Sequence, residues 1–110
     1  MAKYAFFFSY TPEAWASMIK NPTDRAAAAR QMAEAAGSTL ESYYWMFGEY
    51  DGFAIFEGPD SISAGAGSIA VASSGAFSKA VTVPLFDAND QAALLEQAKT
   101  TLSSYAPPTG

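Results

Sequence analysis

Strands that are apolar on both faces constrain this chain more than any other feature. In the segment from Thr39 to Phe47, strict alternation puts Leu40, Tyr44 and Met46 on one face and Tyr43, Trp45 and Phe47 on the other. The segment from Gly52 to Glu57 sets Phe53 and Ile55 against Ala54 and Phe56, and that from Phe77 to Phe86 sets Val81, Val83 and Leu85 against Ala80, Pro84 and Phe86. The first strand, Lys3 to Tyr10, carries Tyr4, Phe6, Phe8 and Tyr10 on one side and Ala5, Phe7 and Ser9 on the other. A sheet with one face in water alternates apolar with polar residues; two-sided apolar strands require cover on both faces.

Helices fill the gaps between these strands. Thr11 reads as a cap with Pro12 at the first helical position, leading through Trp15 to Ile19. Asn21-Pro22-Thr23-Asp24 reads as a restart, with Asn21 as cap, and Gly37 closes that helix. Gly48-Glu49-Tyr50-Asp51-Gly52 is a hairpin loop. Pro59-Asp60-Ser61 opens a helix ending near Gly75, whose small residues imply either close packing on the sheet or a frayed helix. Asp87 with Asp90 starts a last helix through Leu102. The order β-α-β-β-α-β-α predicts an α+β fold: a ferredoxin-like split with a C-terminal helix and one antiparallel four-stranded sheet. The expected single domain spans 1–105, with a flexible tail over 106–110. Three helices on one face leave the other bare. Cover by a second copy of the chain is the economical solution, as a two-fold homodimer or a higher oligomer.

Composition removes whole classes of chemistry. The 110 residues include no cysteine and no histidine, so disulfide frameworks, thiol nucleophiles, imidazole bases and His-dependent triads are excluded. Charged residues are 15 % of the chain, and the net charge is −5. The few basic residues are scattered rather than gathered in a stripe, which argues against nucleic acid. No apolar run approaches the ~20 residues of a membrane helix. The segment Met1 to Phe8 has no cleavage site and reads as a strand rather than a signal peptide, so a cytoplasmic setting is expected.

Several residues carry candidate chemistry. Glu49, Tyr50 and Asp51 could do acid–base work, or could form the turn with Tyr50 packed over the hairpin. Two carboxylates on one loop give few metal ligands, so no metal and no cofactor is expected. Trp15, Tyr43, Tyr44 and Trp45 suit an aromatic ligand, or else core or interface. Tyr43 and Tyr44 point to opposite faces, so at most one serves a given cavity. Arg25 at a helix start could pair with Asp24 or with an acid across an interface, and Arg30 has Glu34 four residues on; either arginine could anchor an anionic ligand, and a solvated surface role is the simpler reading of both. Glu57 reads as a buried base or as a solvated strand end.

The stretch Leu40-Glu41-Ser42-Tyr43-Tyr44-Trp45-Met46-Phe47-Gly48-Glu49-Tyr50-Asp51-Gly52 resembles the signature of the GYD-domain family. The helix start Asn21 to Arg25 and the segment Glu57-Gly58-Pro59-Asp60 continue the likeness, which covers nearly the whole chain. The resemblance implies a dimeric α/β barrel in which two ferredoxin-like sheets pack face to face, and it implies no established activity. Three functional readings stay open. One is a homo-oligomer binding a small apolar or aromatic ligand between sheet and helices, with Trp15, Tyr43, Trp45 and Arg25 as binding residues. Another is a cofactor-free oxygenase or isomerase in the same cavity. The third is an assembly module without ligand.

Overall fold

A computed structural model describes residues 2–109; Met1 and Gly110, the outer limits of the expected domain and tail, lie outside the described residues. β1 (Ala2–Tyr10), β2 (Thr39–Trp45), β3 (Gly52–Gly58) and β4 (Phe77–Leu85) form one antiparallel sheet in the order β2-β3-β1-β4. The aromatic β1 occupies a central position. Among the described residues four α-helices accompany the sheet: α1 (Pro12–Lys20), α2 (Arg25–Ala35), α3 (Ser61–Ala72) and α4 (Gln91–Leu102). The fold is α+β, as the sequence implies.

Capping fixes most helix ends. The Thr11 hydroxyl accepts from Ala14 N at 3.1 Å and the Asp60 carboxylate from Ser63 N at 2.8 Å. That Ser63 donor holds the Asp60 carboxyl below its ordinary range. Gly37 (φ 76°) and Gly75 (φ 77°) take the left-handed conformation just past α2 and α3, which glycine tolerates without a Cβ clash. The start of α2 differs from the expected Asn21 cap. Asn21 instead finishes α1, donating its N–H to Ser17 O, while Asp24 caps α2 by accepting from Ala27 N at 3.0 Å. Asp87 and Asp90 do form a capping box, but around a 3-10 turn (Ala88–Asp90) that precedes α4.

β2 ends two residues earlier than expected. The N–H groups of Met46 and Phe47 both turn to the Asp51 carbonyl, and Phe47 adopts φ 49°. Two bulges decide which rings face which way. Leu40 pairs with Phe56 and Ser42 with Ile55, so Glu41 is a spare residue. Leu40, Tyr43 and Trp45 therefore share the face of Tyr4, Phe6 and Phe8, and Tyr44 lies on the other face opposite Phe53. Strict alternation had grouped Leu40 with Tyr44; the bulge is the reason they part. A second irregularity lets Tyr10 pair with Phe77 after Ser9 has paired with Lys79.

The helices cover one face only, and incompletely. α2 packs against β2 and α3 against β4, on the side of Tyr4, Phe6, Phe8 and Tyr10. Among the described residues no helix packs on the opposite side, where Ala5, Phe7, Phe53, Ile55, Val81 and Val83 stand. The last helix does not join the helical layer. α4 packs chiefly on the 3-10 turn before it, and every residue from 86 to 109 is exposed. The radius of gyration, 17.6 Å, exceeds the roughly 13 Å of a compact chain this long.

Candidate functional site

A cavity of about 430 Å³ lies between the sheet and helices α2 and α3. Its floor is β1, whose Tyr4, Phe6, Phe8 and Tyr10 all point the same way. Its walls are small: Ala28, Ala29 and Ala33 of α2, and Ala64, Gly67 and Ser68 of α3. That contrast makes the hollow. The glycines of α3 do not bring the helix down onto the sheet, and a Cβ added at Gly67 would meet nothing within 4 Å. The outward side of α3 carries Ile62 and Ile69, 79 % and 73 % exposed.

Packed rings hold the floor in place. Phe8, 2 % exposed, meets Phe6, Tyr10, Tyr43, Trp45 and Phe77 with centroids 5.5 to 5.9 Å apart. Tyr10 stacks on Phe77 at 4.8 Å. Such pairs fix ring orientation as well as burying area. Polar groups are few on this surface. The Ser68 hydroxyl donates to Ala64 O at 3.0 Å and shares a hydrogen bond with the Thr82 hydroxyl. Burial, then the neighbouring Tyr10 phenol, pushes the Tyr43 hydroxyl above the usual phenol range, so Tyr43 is a neutral donor at pH 7.

Of the expected binding residues, Tyr43 and Arg25 line the cavity and Trp15 and Trp45 do not. Trp15 packs on Trp45 at 5.4 Å, and Phe47 stacks flat on Trp45 at 5.9 Å and lies 6.0 Å from Trp15. This cluster stands at the hairpin end, where Trp15 Nε1 donates to Asp51 Oδ2 at 2.9 Å. The same oxygen accepts from Tyr10 N at 2.9 Å, and Asp51 N donates to Phe8 O. Asp51 thus ties the hairpin loop to the end of β1 and to α1.

Glu49, Tyr50 and Asp51 do not converge. The Tyr50 ring lies on the helix-free face, 5.6 Å from Phe7 and under the Lys79 ammonium, whose Nζ also donates to Glu49 O at 3.0 Å. The Glu49 residue itself is exposed. Glu57 faces the helix-free side between Lys3 and Thr39. Among the described residues the ion pair is Lys3 with Glu41, at 3.2 Å; Arg30 and Glu34 form none. No cluster of three metal-ligating side chains occurs among the described residues.

Sequence reasoning passed over Tyr4, Phe6, Phe8, Tyr10 and Phe77 as cavity residues. The available signal was a strand with aromatics at every even position facing helices rich in Ala, Gly and Ser. A family model, GYD domain, matches residues 4–95. No curated protein and no solved structure matches the chain.

Proposed function

The chain belongs to the GYD domain family, and from that premise we propose that it is a small homo-oligomeric protein that binds an apolar or aromatic molecule between its sheet and helices. The observation that carries this reading is the cavity of about 430 Å³, within the size range of small-molecule sites. Its ring-lined floor offers flat apolar contact, and its few hydroxyls offer orientation. Among the described residues the lining includes no carboxylate. An enzyme using Glu49, Asp51 or Glu57 as base would have to bring that group in from elsewhere, so binding is the reading we favour.

The oligomer rests on the helix-free face. Phe7 stacks on Phe53 at 5.6 Å and Phe53 on Tyr44 at 5.4 Å, a ring ladder with no helix packed above it among the described residues. Val81, 38 % exposed, extends the patch toward β4. Patches of this kind mark contact surfaces. The strand order β2-β3-β1-β4, with helical connections on one side, supports the ferredoxin-like reading and a second sheet packed face to face. The bare Leu95, Leu102 and Tyr105 beyond it give further surface to a second copy. A cytoplasmic setting belongs to this reading and rests on the sequence alone; no helix is long and apolar enough to cross a membrane.

Native mass spectrometry of freshly purified protein tests both parts. The expected ion is a multiple of 11.6 kDa carrying a small-molecule adduct. Gly67→Phe, which places a ring in open cavity space, should keep the oligomer and lose the adduct. An adduct-free wild-type chain at 11.6 kDa would end the proposal.

A further inference from the structure

One charged side chain stands in the cavity wall, Arg25. A guanidinium stays protonated at any physiological pH, so a half-buried one beside apolar groups calls for an acceptor. The protein supplies little: Arg25 Nη1 donates to the Thr23 hydroxyl at 3.3 Å, and no carboxylate lies within ion-pair distance of Arg25 among the described residues. The position compounds the oddity. Arg25 is the first residue of α2, where the positive end of the helix dipole disfavours a cation and favours an anion.

Tyr43, with a neutral hydroxyl and close enough to feel the charge of Arg25 and, with opposite sign, that of Asp24, lines the same cavity, whereas Asp24 does not. Ser68 and Thr82 satisfy each other, Ser38, Ser63 and Ser74 also line the cavity, and the remaining surface is mostly alanine and aromatic carbon. The lining therefore carries one cation, a number of hydroxyls and a mostly apolar surface. We propose that it takes small monocarboxylates with an aromatic or alicyclic body, the carboxylate held by Arg25 and Tyr43. A phosphate fits less well. A single cation balances a single negative charge, and Ala27 N at the α2 terminus is already taken by the Asp24 carboxylate.

This inference rests on the reading of the cavity as a binding site. Titration calorimetry at pH 7 with matched acids and amides (2-naphthoate and 2-naphthamide, 4-phenylbutyrate and 4-phenylbutanamide) separates the two. The acid should bind about tenfold more tightly than its amide. Arg25→Gln should remove that preference by weakening the acid far more than the amide, and Arg25→Lys should keep part of it. Circular dichroism of each variant checks that the fold is intact. Equal binding of acid and amide to the wild-type chain overturns the monocarboxylate assignment and leaves the cavity as a site. Tighter binding of 2-naphthyl phosphate than of 2-naphthoate overturns it too. If no acid or amide in the set binds, both the assignment and the binding reading fall.

Discussion

The two faces of the sheet are built from the same residue types and end in opposite conditions. On one face Tyr4, Phe6, Phe8 and Tyr10 lie under helices and border a hollow. On the other, Tyr50, Phe7, Phe53 and Tyr44 form a continuous ring ladder with no helix packed over it among the described residues. Aromatic content alone does not distinguish a floor from a contact surface. The difference comes from what is placed opposite. Helices of alanine and glycine are too slight to fill the space above large rings, so covering that face leaves a cavity, whereas the bare face has only its own rings to pack against.

Paired substitutions on adjacent residues of β1 break this comparison most directly. Phe8→Ala should cost about 3–5 kcal/mol, because Phe8 is the most deeply buried large side chain of the described residues. Its loss should not depend on protein concentration. Phe7→Ala should cost about 1–3 kcal/mol, and that cost should grow with protein concentration if a second copy covers the face. Urea melts at two concentrations measure both; equal, concentration-independent losses would mean that the faces do not differ.

A smaller effect tests the tie between the faces and the hairpin. Asp51→Ala strands the Tyr10 and Trp15 N–H donors and should cost about 2 kcal/mol, with a change in the near-ultraviolet circular dichroism of tryptophan. Asp51→Asn keeps an acceptor oxygen and should cost less. The smallest effect has the opposite sign. Gly65→Ala and Gly67→Ala each meet open space and should stabilise the chain by about 0.5–1 kcal/mol through helix propensity. Thermal melts would show it; a loss at Gly67 would mean that α3 lies closer to the sheet than the cavity allows.

Much of this was legible in the sequence. β1 and β3 alternate without interruption over their pairing with each other, so Phe6 and Phe7 were assignable to opposite faces, and the likeness to the GYD domain family is confirmed over residues 4–95. β2 was not so legible, because a bulge leaves no mark in composition and Glu41 looks like any exposed strand residue. The α2 start was ambiguous since Asn21 and Asp24 are both good caps; Asn21 closes α1, and the Asp24 carboxylate accepts from Ala27 N. Periodicity marked α4 as a helix with an apolar side but could not say what that side meets. What Trp15 meets was not legible for a longer-range reason. Its partner, the Asp51 carboxylate, comes from a loop two elements away.

The bulge at Glu41 also bears on how lengths vary among chains of this kind. β2 holds one residue more than its pairing with β3 consumes. A sequence one codon shorter between Leu40 and Tyr43 would straighten the strand and give up the Lys3 ion pair, yet Tyr43, Tyr44 and Trp45 would keep their sides. The same deletion among Phe53, Ala54, Ile55 and Phe56 has no slack to absorb it and would turn part of that strand over. Gaps in an alignment of such sequences should therefore gather at the first of these places and avoid the second.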